Sequence, residues 1–201
     1  MRKVRIPLRL FTATLLTLLL GSSGFSFQNE PEGFRGLTWG APPTEDMVGI
    51  RPRTIEARLL EKEGVVFEDK FDLHCYRRKN DKMSIGRVNL DGIYYLFYDG
   101  RFMEVVIIQS YSDVRPLKDI VDLKFGEGEY RGRGEEYSFT FGGEWVWQGE
   151  IATIILTAHA IGFCTTLRIY STKIHNQSEE ELPGKKQEER QKVAEEALDD
   201  F

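Results

Sequence analysis

The stretch that most constrains this chain is Ile93-Tyr-Tyr-Leu-Phe-Tyr-Asp-Gly-Arg-Phe-Met-Glu-Val-Val-Ile-Ile108, two runs of β-forming residues joined by Asp99-Gly100. Asp-Gly between apolar runs is a strong hairpin signal, because a type I′ turn needs positive φ at both central residues, which glycine tolerates freely and aspartate better than most. Counting outward from the turn, Tyr98 is expected opposite Arg101 and Leu96 opposite Met103 on one side, with Phe97 opposite Phe102 and Tyr95 opposite Glu104 on the other. Both sides carry large apolar groups. A hairpin of this kind needs cover on both faces, or one face must be only half buried, so the other strands and a helix are needed to complete it.

The chain opens with a pattern of export. Arg2, Lys3, Arg5 and Arg9 precede a largely apolar run from Leu10 to Leu20, and Gly21-Ser-Ser-Gly24 supplies the small residues a signal peptidase accepts. The run is shorter than the ~17 residues a membrane-spanning helix needs. Residues 1–24 are therefore expected to be a cleaved signal, and the mature product to be periplasmic or secreted and not membrane-spanning. No cysteine sits near the cleavage region to carry a lipid anchor.

Without the signal the chain has 23 basic residues against 32 acidic ones, a net charge of −9. Nucleic acid and anionic lipid both demand a concentrated basic surface, so neither is an expected partner. About 175 residues suffice for one domain with its own core, expected over 31–171. Cys75 and Cys164 lie 89 positions apart. In an oxidising compartment they are a candidate disulfide, and equally a pair of buried thiols.

Gly33-Phe-Arg-Gly-Leu-Thr-Trp-Gly40 offers a short entry strand, and Thr54 to Glu63 a short helix capped by Thr54. From Phe71 to Arg78 apolar and polar residues largely alternate, as in a half-buried strand. A helix follows the hairpin, with Ser112 or Asp113 as cap, Pro116 in the first turn, Leu117, Ile120 and Val121 on one face and Gly126 beyond its end. The runs 137–141, 144–148, 151–157 and 163–171 have the lengths and turn chemistry of an antiparallel meander. The fold class expected is α+β, an antiparallel sheet with a central hairpin packed by one or two short helices. From residue 172 the composition turns polar, and Pro183-Gly184 interrupts the run. Residues 172–201 read as a charged tail, either a frayed, solvated end or a terminal helix from Lys185 with Val193, Ala197 and Phe201 on one stripe.

Reactive constellations are sparse. His74 and Cys75 are strand neighbours pointing to opposite faces and cannot act on each other, which leaves long-range pairs, Cys164 with His74 or His159, or Cys75 with a distant histidine. No spacing of histidines and cysteines matches a zinc or haem motif, so neither metal nor cofactor is expected. The glycine-rich segment 126–134 lacks the lysine and hydroxyl of a phosphate loop, although its Arg131 and Arg133 could clamp an anionic group. Trp145 and Trp147 share one strand face; exposed they would form a binding platform, and buried they are core.

Three segments together, Gly33 to Gly40, Phe97-Tyr-Asp-Gly-Arg-Phe-Met-Glu-Val105 and Leu123-Lys-Phe-Gly126, resemble those of many uncharacterised exported bacterial proteins. They are more distantly similar to the helix-plus-sheet modules of the SmpA/OmlA (BamE-like) assembly lipoproteins and of β-lactamase-inhibitor-type proteins. The chain departs from the former in lacking the lipoprotein cysteine and in having more strands than one such module uses. The resemblance implies a noncatalytic interaction module of the cell envelope with another envelope protein as partner. A thiol-dependent or hydrolytic enzyme, and a small-ligand binder using the tryptophan face, are the alternatives.

Overall fold

The computed structural model describes residues 27–51, 54–62, 71–110, 113–132, 142–159 and 164–198. The proposed leader, Arg133, the run 137–141 and Phe201 lie outside them.

The hairpin forms as its turn dictates. Asp99 and Gly100 take φ of 51° and 67°, joining β7 (Gly92–Tyr98) to β8 (Arg101–Ser110). The pairs Tyr98 with Arg101 and Phe97 with Phe102 hold, and then the register slips: Leu96 faces Glu104 and Tyr95 faces Val105, one residue beyond the positions counted from the turn. Met103 is the extra residue of a β-bulge, which a count from the turn does not register.

The hairpin lies near the middle of an eight-stranded antiparallel sheet. On one side of it stand β4 (Leu73–Arg78) and the three-residue edge strand β3 (Met47–Gly49). On the other, β8 pairs with β12 (Cys164–Ser171), followed by β11 (Ala152–Ala158), β10 (Gly143–Gln148) and the two-residue edge strand β9 (Glu129–Tyr130). The meander is thus the sequence β10-β11-β12, attached to the hairpin by its last strand. Two small ribbons accompany the sheet: β1 (Gly33–Phe34) with β2 (Leu37–Thr38), and β5 (Ser84–Ile85) with β6 (Val88–Asn89).

Both sheet faces are covered. Helix α2 (Arg115–Phe125) lays Leu117, Val121 and Phe125 against a core containing Tyr95, Phe97, Phe102, Trp145 and Trp147. Its N-cap is Val114, which has no polar side chain to cap with, so Asp113 does not hold the cap position expected of it and Ser112 lies outside the described residues; Pro116 sits in the first turn, and the Asp113 carboxylate accepts the Arg115 N–H at 3.0 Å. The other face is covered by α1 (Ile55–Lys62), through Ala57 and Leu60, and by Ile174 of α3 (Thr172–Leu198). Thr54 caps α1 by accepting the Ala57 N–H at 3.1 Å.

The region read as a charged tail is helical from Thr172, directly after β12, and the helix continues through Pro183-Gly184 to Leu198. Its first turns are docked, with Ile174 and Ser178 buried. The disulfide is excluded by strand order. Between β4 and β12 lie β7 and β8, so three inter-strand spacings separate Cys75 from Cys164, about 14 Å, twice the ~7 Å a disulfide can bridge. The two thiols are buried and not joined.

Two outcomes are expected. Replacing Gly100 by valine forces a branched residue into the left-handed region and lowers the unfolding free energy by about 1–2 kcal/mol, read from urea denaturation. In the native protein neither thiol reacts with iodoacetamide, whereas in denaturant without reductant both do; a requirement for reductant would restore the disulfide.

Candidate functional site

The bulge decides where Glu104 points. Without it, alternation from Phe102 would put Glu104 into the core beneath α2; with it, Met103 and Glu104 both serve the opposite face. There Arg168 of β12 meets the carboxylate in a two-pronged ion pair, Nε donating to Oε1 at 2.5 Å and Nη2 to Oε2 at 3.1 Å. Glu104 is 1% exposed and the Arg168 side chain 28%. Burial opposes the charge on Arg168, but the Glu104 charge and its hydrogen bonds prevail and hold the guanidinium above its ordinary value.

This pair lines a cleft of about 580 Å³ between the sheet and α3. Its apolar walls include Leu73, Leu96 and Met103 from the strands, Phe71 before β4 and Leu182 from the helix. His175, Ser178, Glu179 and Lys186 complete the helical side. The Ser178 hydroxyl donates to the His175 carbonyl at 2.7 Å. His175 stacks on Tyr170 at 4.2 Å between ring centres, and its Nδ1 is buried without a hydrogen bond. Pro183, on the cleft side, removes the helical donor that the carbonyl of Glu179 would otherwise meet.

Polar contacts latch α3 over the cleft. The Tyr98 hydroxyl donates to Glu181 at 2.6 Å, the Gln177 amide donates to the other Glu181 oxygen at 2.7 Å, and Arg101 donates to Gln177 at 3.0 Å. The Tyr98 hydroxyl, and then the Gln177 amide, hold Glu181 below the usual carboxylate range. Burial and the Glu181 acceptor push Tyr98 up. Lys185 lies over the Tyr98 ring and Lys186 over the Phe71 ring, at 4.9 and 5.4 Å from their centres.

The residues singled out by sequence fall elsewhere. Trp145 and Trp147 are 0% and 2% exposed and fill the core. Each such ring removes about 150–250 Å² from water, about 4–6 kcal/mol at ~25 cal/mol per Å². Trp147 also donates its Nε1–H to the carbonyl of Gly126 at 2.7 Å, so it finishes α2 rather than gripping a ligand. Gly128 is required beside it, since a Cβ there would stand 2.5 Å from the indole. Arg131 is half exposed and bound to Glu129, two residues earlier on the same loop, at 2.7 Å. Of the thiol pairs, His159 is brought beside Cys164, its backbone N–H donating to the Cys164 carbonyl at 3.1 Å, while its Nε2 lies 3.3 Å from the Thr166 hydroxyl. His74 remains on β4, with β7 and β8 between it and Cys164.

A second buried polar cluster is complete in itself. Asp81 accepts from Arg35 on one oxygen and from the Tyr95 hydroxyl on the other, at 2.5 Å for the latter. Burial, and then Asp81, push Tyr95 far up. Arg35 also donates to the carbonyls of Lys82 and Ser84, so the cluster ties a loop to the sheet and presents nothing outward.

Among the described residues no group of His, Cys, Asp and Glu is placed to hold a metal ion, and no helix is long and apolar enough to cross a membrane. No protein-family model matches this chain, and no curated protein or solved structure matches it.

Replacing Arg168 by methionine leaves Glu104 buried without its partner and is expected to cost about 3–5 kcal/mol in urea denaturation. Adding Glu104→Leu recovers most of that loss. A single substitution costing less than about 1 kcal/mol would mean that water reaches Glu104 freely.

Proposed function

We propose that this protein is a noncatalytic, exported binding module of the cell envelope and that it binds its ligand in the cleft beneath α3. The cleft itself carries the reading. At about 580 Å³ it lies within the size range of small-molecule sites, and it combines apolar walls with a few convergent polar groups, as such sites do. The partner protein expected from the sequence would have met an aromatic sheet surface. Those aromatics are interior, so the geometry favours a small ligand with an apolar body over a docked protein. Export is supported by the charged and apolar pattern of residues 1–24.

The noncatalytic part of the reading rests on how the polar groups are engaged. Both Glu104 oxygens are taken by Arg168, and the Ser178 hydroxyl is given to a backbone carbonyl. Neither is poised as base or nucleophile. A thiol enzyme needs an accessible sulfur of lowered pKa, and Cys75 and Cys164 are 2% and 8% exposed.

A neutral apolar fluorophore, N-phenyl-1-naphthylamine, is expected to bind one per chain with a rise in emission. Leu182→Trp, which fills the cleft, should abolish the signal while the thermal midpoint is kept or raised. Absence of binding, or binding indifferent to Leu182→Trp in a folded variant, would remove the cleft as the site.

A further inference from the structure

We infer that the ligand of this cleft is an amphipathic monocarboxylate, an apolar chain ending in a carboxylate, with Arg168 as the group that reads its head. This rests on the cleft being the binding site, and it names what enters.

The lining of the cleft combines two chemistries. Phe71, Leu73, Leu96, Met103 and Leu182 supply apolar wall. Among them sits the ion pair, whose members are not equally available. Glu104 is 1% exposed with both oxygens engaged, and Arg168, 28% exposed, spends Nε and Nη2 on it. Among the described residues the Nη1 group has no hydrogen-bond partner. What the pair offers to the empty space is therefore a donor, not an acceptor.

That donor is permanently charged, because Glu104 keeps the guanidinium protonated despite its burial. A guanidinium edge beside apolar walls is best met by a carboxylate oxygen, since charge-assisted hydrogen bonds are roughly twice as strong as neutral ones. Lys186, over the Phe71 ring at the mouth, adds positive charge. The opposing Glu179 is exposed on the rim, where water and salt screen it.

The fold gives a second reason. A buried ion pair contributes little net stability relative to apolar residues of the same volume, yet here a bulge in the central strand is what delivers Glu104 to Arg168. Bulges of this kind re-aim side chains beside functional sites. Glu104 accordingly acts as a positioning residue that fixes the plane of Arg168, leaving one edge turned to the ligand.

The test is displacement of bound N-phenyl-1-naphthylamine by decanoate and by decanol, which share a chain and differ in the head. Decanoate should displace the probe at a concentration at least about tenfold lower than decanol, the ratio expected for gaining one charge-assisted hydrogen bond. Because Arg168 alone cannot be removed without stranding Glu104, the variant is Arg168→Gln with Glu104→Gln, confirmed as folded by circular dichroism. In it the two ligands should displace the probe equally. Equal displacement from the unaltered protein, displacement by decanol alone, or displacement by neither overturns the carboxylate inference while probe binding still supports the cleft. A preference for decanoate that survives in the double variant removes Arg168 as the reader. Failure of the probe itself to bind refutes the site and not merely its ligand.

Discussion

Burial of one strand pair on both faces governs this structure. In β7 and β8 nearly every residue is withdrawn from water, Tyr95, Phe97, Phe102, Val105 and Ile107 to one side and Leu96, Tyr98, Met103 and Val106 to the other. A pair apolar on both faces cannot stand at a solvent boundary. Layers are required above and below, and α2 provides one while α1 and the start of α3 provide the other. The neighbouring strands β4 and β12 then shield the hairpin's backbone edges, leaving the very short β3 and β9 outermost among the described residues, a common means of discouraging edge-to-edge association.

Into this doubly buried pair the chain inserts one extra residue. The bulge at Met103 keeps Glu104 out of the core beneath α2 and transfers it to the face carrying Arg168. Local geometry and long-range pairing are coupled here. The pair forms only because β12 joins β8 in the register that sets Tyr170 opposite Glu104 and Arg168 opposite Val106. The space left beside the pair, under a helix held by Ile174 and by the polar contacts of Gln177 and Glu181, is the cleft.

What could be read in the sequence was local. The Asp99-Gly100 turn, the Thr54 cap, Pro116 at the start of α2 and Gly126 at its end are one-residue chemistries and appear where expected. Three strands of the meander, β10, β11 and β12, were legible from their lengths and turn chemistry. The bulge was not, because nothing in Phe102-Met103-Glu104 marks an insertion, and every register position beyond it moved by one. The terminal helix was half obscured by its composition: it is polar nearly all round, its one apolar stripe lies beyond Lys185, and Pro183-Gly184 reads as a stop before it. Strand order, which separates Cys75 from Cys164, is invisible to spacing along the chain. The candidate site left one trace in the sequence. Glu104 and Arg168 are opposite charges in the middle of strands whose other interior positions are uncharged, and a charge so placed requires a partner.

The junction between β12 and α3 has no loop. Ser171 ends the strand and Thr172 begins the helix, so the floor residue Arg168 and the roof residues His175 and Leu182 belong to one uninterrupted stretch of backbone. The helix has 27 residues and so extends about 40 Å. A tilt of roughly 5° at the junction would carry its far end by roughly 3 Å. Strand and helix together form a lever whose short arm lines the cleft and whose long arm is exposed to whatever lies outside.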